Sequence, residues 1–269
     1  MSRCLGGVLI AGALCLSGAS PALAQPPVPA PSAPASSPDF LTHYNFHLSA
    51  DGLANDDRRF TWQTHFGGDL DLVDYVAGRA NVLIDYEAVI GSELRNFDPN
   101  QGNYTLEVSG SARLRRTEVA GVFHHVSRHL SDRSKRLAIA WNVAGVRALR
   151  RFESGATTVD MQGGAGRVVQ SAFVDYSWTG NADVVIRRSL SARLGVFAHG
   201  VGEIVGVDPA IAGRTTQRDG RLEGGLRLLG RAGAVELFAG YERRMDAYPT
   251  DPDRLARRWA FAGFRFVSR

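Results

Sequence analysis

Three of the seven histidines lie within six positions, in the segment Phe123-His124-His125-Val126-Ser127-Arg128-His129-Leu130-Ser131-Asp132-Arg133. Neighbouring side chains of an extended strand point to opposite faces, so His125 and Ser127 share one. An imidazole beside a hydroxyl can take its proton and make a nucleophile for acyl transfer, and a carboxylate such as Asp132 can orient the ring. That gives a candidate catalytic set of His125, Ser127 and Asp132. His125 and His129 with Asp132 also suggest zinc, but an i, i+4 pair brings two ligands together on a helix, and this segment reads as strand into loop. No metal and no cofactor is expected. His124, Arg128, His129 and Arg133 form a candidate phosphate-binding set that would need no catalysis. The plainest reading is that these polar groups cap a strand end and order the loop beyond it.

The elements that must position them alternate apolar and polar residues in segments of about ten. In 104–114, Tyr104, Leu106, Val108, Ala112 and Leu114 fall on one face, and Glu107 and Arg113 on the other. The pattern recurs. Val82, Ile84, Tyr86 and Ala88 oppose Asn81, Asp85 and Glu87. Phe60, Trp62 and Phe66 oppose Arg59, Gln63 and His65. Ala172, Val174, Tyr176 and Trp178 oppose Ser171, Asp175 and Ser177. Leu194, Val196 and Ala198 oppose Arg193, His199 and Glu203. Leu222, Leu226 and Leu228 oppose Arg221, Glu223 and Arg227, and Val235, Leu237, Ala239 and Tyr241 oppose Glu236 and Glu242. A period of two is the signature of strands with one greasy and one charged side. The charged side pairs Glu and Asp with Arg, with Gly and Ser between, and several greasy sides end in Tyr or Trp. That suits a polar lumen and an interfacial aromatic girdle. Glu107, Arg113, Glu223, Arg227, Glu236 and Glu242 are therefore expected to form a lumen charge network.

The amino terminus supplies the compartment. Arg3, the apolar run 5–16 and Ala22-Leu23-Ala24 read as a signal peptide over 1–24, removed before Gln25. Both cysteines, Cys4 and Cys15, lie inside it, which leaves the mature chain without thiol chemistry. Residues 25–38 are Pro, Ala and Ser apart from one Gln and one Val, a composition that cannot bury a core and implies a disordered periplasmic leader. The remaining 39–269 are enough for one domain. The chain holds 31 Lys and Arg against 27 Asp and Glu, interspersed, and export argues further against a nucleic-acid partner. After the leader no run of eighteen apolar residues occurs, so a membrane-embedded form has to be a closed barrel.

These features predict an all-β fold, a closed antiparallel transmembrane β-barrel of about twelve strands, with ten to fourteen compatible. The strands fall near 43–50, 58–74, 79–90, 103–115, 117–127, 136–148, 152–163, 167–178, 191–204, 218–229, 233–243 and 257–267. Tight turns are expected at Ala77-Gly78, Arg115-Arg116, near Leu149-Arg150 and at Ala232-Gly233, and long loops at 91–102, 128–135, 205–217 and 244–256. The segment 163–167 is short for an external loop, and 179–190 is long for a periplasmic turn. Ala260, Ala262, Phe264 and Phe266 give the last strand an aromatic end of the kind outer-membrane barrels carry, here followed by Val267, Ser268 and Arg269.

Two resemblances follow from these residues. The His125-x-Ser127 spacing is similar to that of outer-membrane lipid A deacylases, in which a His and a Ser on one strand act near the outer leaflet. The stretch 123–133 resembles the signature of a bacterial outer-membrane-type family known only as a domain of unknown function, aromatic-His-x-Ser-Ser-His-Leu-Gly-Asp-Glu. His125, Ser127, His129, Leu130 and Asp132 match it. Arg128, Ser131 and Arg133 depart from it. Phe66-Gly67-Gly68 and 237–244 follow the family's order more loosely. The family implies an outer-membrane barrel and assigns no catalytic residue.

The first functional expectation is an outer-membrane protein of Gram-negative type with a structural or narrow-pore role and a plugged polar lumen. The alternatives are a lipid A or phospholipid acyl hydrolase using the His/Ser pair, and a soluble periplasmic β-sandwich that binds a ligand. For either membrane reading the partners are outer-membrane lipid and lipopolysaccharide, and the barrel-assembly machinery during biogenesis.

Overall fold

The computed structural model describes residues 34–130, 139–207, 210, 214–248 and 255–268. The expected signal peptide over 1–24, most of the leader, Asp132 and Arg133 lie outside them. The described residues form twelve strands joined by turns and loops. In chain order the strands are β1 (Asp39–Ala54), β2 (Trp62–Asp74), β3 (Arg79–Gly91), β4 (Asp98–Leu114), β5 (Thr117–Leu130), β6 (Ile139–Ser154), β7 (Thr157–Ala172), β8 (Tyr176–Ser189), β9 (Leu194–Val207), β10 (Gln217–Leu229), β11 (Gly233–Arg244) and β12 (Arg257–Ser268). Each pairs antiparallel with its sequence neighbours, and β1 pairs with β12 from His47 opposite Val267 to Ala54 opposite Ala260. One sheet closed on itself leaves no edge. The soluble sandwich is therefore ruled out, because it needs two sheets facing each other.

The alternation sorts the side chains as lipid outside and charge inside require. Phe66, Ile84, Tyr104, Leu106, Val108, Phe123, Val146, Leu222, Leu237 and Tyr241 are exposed on the wall. Asp51, Asp71, Asp85, Glu107, Asp219, Glu223 and Glu242 are buried in the lumen. Charges withdrawn from water need partners, and most of these meet an arginine or histidine, while Asp219 accepts from the Met245 backbone N–H. Arg79 donates to Asp71 at 2.9 Å and to Glu118 at 2.8 Å. Arg265 bridges Glu223 at 2.6 Å and Glu236 at 2.7 Å. Arg244 reaches Glu242 at 2.7 Å and Glu87 at 2.8 Å. The external end is closed by apolar packing, with Phe60 stacked on Trp259 at 5.3 Å among Leu53, Val89, Ala247 and Phe261. The other end opens into a cavity of about 930 Å³.

Three readings of the sequence need correction. Phe60 does not begin a strand or face lipid. It is 1% exposed in the loop before β2, where burying a whole aromatic ring outweighs the alternation that suggested the wall. The turn expected near Leu149-Arg150 lies inside β6, and the strand turns at Gly155-Ala156. Gly155 adopts φ +56°, which a residue without a Cβ takes at little cost. The segment 163–167 is not a loop but the middle of β7, and 179–190 is mostly β8. Gly166 is needed within the strand because a Cβ there would run into the Val143 side chain. A register shift between Tyr176 and Trp178 lets Tyr176 open β8 facing inward while Trp178 stays on the wall.

Candidate active site on the barrel wall

β5 carries two different polar sets on its two faces. The even positions face the lumen. His124 Nδ1 lies 3.2 Å from Glu107, which Arg147 also holds at 2.7 Å. Arg128 is buried, donates to the Asp246 carbonyl at 2.7 Å and lies 5.6 Å from the Trp141 ring centroid. Asp246 belongs to the chain following β11, which folds back into the external mouth. Tyr176 donates to its carboxylate at 2.6 Å, Arg214 does so at 2.9 Å, and Met245 and Ala247 beside it are 1% exposed.

The odd positions face the wall. Phe123 is followed there by His125, Ser127 and His129 instead of more apolar residues. Strand pairing places His125 opposite Leu106 of β4 and Asn142 of β6, and Ser127 opposite Tyr104 and Ala140. His125 Nδ1 is 2.6 Å from Asn142 Oδ1, and Asn142 Nδ2 donates to Gln170 Oε1 at 2.9 Å. That second bond fixes the amide so that its oxygen faces the ring. His125 then carries its proton on Nδ1 and presents Nε2 as an acceptor. Ser127 Oγ is 2.7 Å from His129 Nε2, and the His129 ring stands edge-on to Tyr104 with centroids 5.5 Å apart. Tyr104 packs on Tyr86 at 4.9 Å.

Gln170 reaches this row through a bulge. Val143 pairs with Val168, but Asn142 pairs with Gln170, so Val169 is an extra residue in β7. Without it Gln170 would share the inward face of Val168. One inserted residue turns it outward onto Asn142. Ser127 lies three residues before the end of β5, about 10 Å along the strand at 3.3 Å per residue. That end carries the longer connections, which is the external end in outer-membrane barrels.

The structure thus places His125, Ser127 and His129 on one face of the wall, with Ser127 hydrogen-bonded to His129 and His125 to Asn142, and adds Asn142 and Gln170, which the sequence reading missed. It separates the proposed phosphate-binding set, because His124 and Arg128 point into the lumen and His129 points out. Asp132 and Arg133 fall outside the described residues. Of the lumen residues, Glu107 pairs with Arg147, Arg113 with Asp74 at 2.7 Å and Arg227 with Glu236 at 2.7 Å. Glu223 meets Arg221 at 2.9 Å as well as Arg265, and Glu242 meets Arg244.

No protein-family model matches the sequence, and no curated protein matches it significantly. Among solved structures the chain is similar to outer membrane phospholipase A from Escherichia coli, with a TM-score of 0.50 and 13% identity over 86% of this chain and 98% of that one. An active-site mutant of that enzyme with an asparagine changed to alanine aligns at TM-score 0.50 and 13% identity, over 85% and 90%. The outer membrane protein Omp33 of Acinetobacter baumannii aligns at TM-score 0.41 and 8% identity, over 84% and 97%. Together with the closed twelve-stranded sheet, the first of these defines the class: this is a β-barrel of the outer-membrane type.

Proposed function

We propose that this barrel hydrolyses acyl esters of phospholipid at the outer leaflet, with Ser127 as nucleophile, His125 as general base and Asn142 as the residue that orients the base. One observation carries the reading: His125, Asn142 and Gln170 form a hydrogen-bonded row on the wall beside the apolar outward residues Leu106, Phe123, Ala140 and Ala144, with Ser127 on the same face. A polar group facing hydrocarbon costs free energy and adds nothing to the barrel's closure. A nucleophile beside a base that a third group holds in one tautomer is the arrangement acyl transfer requires.

Ser127 Oγ attacks the ester carbonyl while His125 Nε2 takes the hydroxyl proton. The tetrahedral carbon expels the lysophospholipid oxygen, which leaves with that proton, and the acyl group stays on Ser127. Water then attacks the acyl-serine, His125 again takes a proton, and a free fatty acid departs as Ser127 recovers its hydrogen. Asn142 accepts from Nδ1–H throughout, as a neutral amide rather than a carboxylate. The similar Escherichia coli barrel is a phospholipase with an asparagine in its active site, and Asn142 supplies the same residue type next to the candidate base. Because the wall itself faces lipid, substrate reaches Ser127 by lateral diffusion, and the acyl chains lie along the greasy neighbours Leu106 and Phe123. Lipid A, which also carries acyl esters in the outer leaflet, is the second substrate to assay.

The narrow-pore role has less support. The lumen is filled with paired charge and its external end is packed with aromatic rings, which suits a structural plug that keeps the wall rigid. The test is release of fatty acid from phosphatidylcholine in mixed micelles by the folded full chain, with Ser127→Ala and His125→Ala as controls. A wild-type rate no higher than that of both variants would end the hydrolase reading.

A further inference from the structure

An oxyanion in acyl transfer needs donors aimed at it. In most folds a loop or a helix end supplies backbone N–H groups. Ser127 lacks that supply. It lies within β5, paired with Tyr104 on one side and Ala140 on the other, and the flanking residues Val126 and Arg128 are paired on both sides too. The backbone of Val126, Ser127 and Arg128 belongs to the ladder that keeps the barrel closed, and freeing a donor there in lipid would leave the sheet unsatisfied, whereas His129 is paired with Gly102 of β4 alone among the described residues. A side chain on the same face is the donor that needs no break in this ladder.

Two imidazoles flank the hydroxyl on the same face. A serine hydroxyl has one hydrogen to donate and lone pairs to accept with. If its hydrogen goes to His125 Nε2, whose other nitrogen Asn142 holds protonated at 2.6 Å, then a second imidazole on Oγ has to be a donor. His129 Nε2 is 2.7 Å from Oγ. Its ring is held edge-on by Tyr104, and among the described residues nothing accepts from its Nδ1, so the Nε2–H tautomer meets no competing demand.

We infer that His129 is a second catalytic histidine, which donates Nε2–H to Ser127 Oγ at rest and to the oxyanion of both tetrahedral intermediates. The inference rests on the hydrolase reading above. When Oγ bonds to the carbonyl carbon it becomes an ester oxygen and a poor acceptor. The former carbonyl oxygen, on the same carbon, takes up the negative charge, and the N–H moves across to it. No proton leaves His129 in either half-reaction, and His125 carries all proton transfer. The two rings divide the labour that one imidazole and two backbone amides share where a loop is at hand.

The experiment uses the full chain folded into detergent micelles, checked by its boiling-dependent shift on a gel, and measures fatty-acid release from phosphatidylcholine. His129→Ala is expected to lower kcat by about 10²-fold with KM little changed, the usual loss on removing one oxyanion donor. His129→Gln, which keeps an N–H donor but cannot act as a base, is expected to recover at least tenfold over His129→Ala. His125→Gln is expected to stay at the level of Ser127→Ala. The shape of the pH–rate profile is expected to be the same in His129→Gln as in wild type. Should His129→Gln be as inactive as Ser127→Ala while His125→Gln keeps measurable turnover, His129 is the base and the assignment is overturned. Should His129→Ala match wild type while Ser127→Ala and His125→Ala are inactive, this inference alone fails and the hydrolase reading stands. Full activity in Ser127→Ala would remove the reading itself.

Discussion

The two faces of β5 are built from similar residue types under opposite rules. Inside, His124 and Arg128 sit among partners of opposite charge or on carbonyls, and their job is to make a polar lumen tolerable. Outside, His125, Ser127 and His129 have no charged partner among the described residues: Ser127 hydrogen-bonds to His129, and His125 to the neutral amide of Asn142, which is held by Gln170. The inner set resembles other buried ion pairs of the barrel, such as Arg147 with Glu107 or Arg265 with Glu223. The outer set departs from its surroundings, since the wall on either side is Leu106, Phe123, Ala140 and Ala144. Polarity in the lumen is explained by packing, whereas the polar row on the wall is what the proposed hydrolase reading rests on.

Substitutions can break that comparison, beginning with the largest effect. Ser127→Ala is expected to reduce fatty-acid release by at least about 10⁴-fold, as removal of an acyl-transfer nucleophile does, with the denaturant midpoint in micelles unmoved. A parallel loss of stability would mean that the wall residues are structural after all. Glu223→Ala is expected to do the reverse. It takes one of three carboxylates from Arg221, which keeps Asp51 and Glu242, and one of two from Arg265, and removing one member of a buried charge set costs about 3–5 kcal/mol. Urea titration should show the drop, while turnover per folded molecule stays within about twofold of wild type, less than 1 kcal/mol of barrier.

Arg128→Met sharpens the comparison because Arg128 lies between Ser127 and His129 but on the other face. It loses the charged hydrogen bond to the Asp246 carbonyl, about 1.5–3 kcal/mol. Limited proteolysis should then cut more readily after β11, with kcat changed little. A collapse of kcat would mean that the two faces are coupled through the backbone. The smallest effect lies outside both faces. Asp57, in the loop between β1 and β2, has its carboxyl held below the ordinary range by its hydrogen bond to Arg59, against the opposing effect of burial. A depressed folded-state value stabilises above the ordinary carboxylate range and is lost as the pH falls through it. In this half-buried loop pair it amounts to roughly a few tenths of a kcal/mol, and Asp57→Asn should remove that increment of acid sensitivity and leave turnover alone.

Much of the barrel was legible because alternation is a local property. Tyr104, Leu106 and Val108 against Glu107 state their faces without reference to any other strand. The reading failed where a local cue had two meanings. Gly163-Gly164-Ala165-Gly166 looked like a loop, yet here small residues make room for side chains across the sheet. The turn at Gly155 follows a serine, a turn dipeptide that the arginines nearby obscured. Half of the candidate site was legible too, since His125 and Ser127 share a face on any strand. Asn142 left a trace that could have been followed, as the polar residue within the outward run Ala140, Ala144, Val146 and Ala148. Gln170 left none, because the bulge at Val169 reverses its parity.

The sequence by itself determined a closed barrel with a charged interior and a greasy wall, because a period of two and the need to satisfy every backbone group in lipid leave few other folds. It also determined that a histidine and a serine meet on one face. Only the tertiary structure decided which face that was, and which amide orients which ring. Those contacts join residues 17 and 28 positions apart. They depend on strand register and on one extra residue in β7, and neither is written in the local pattern of any single strand.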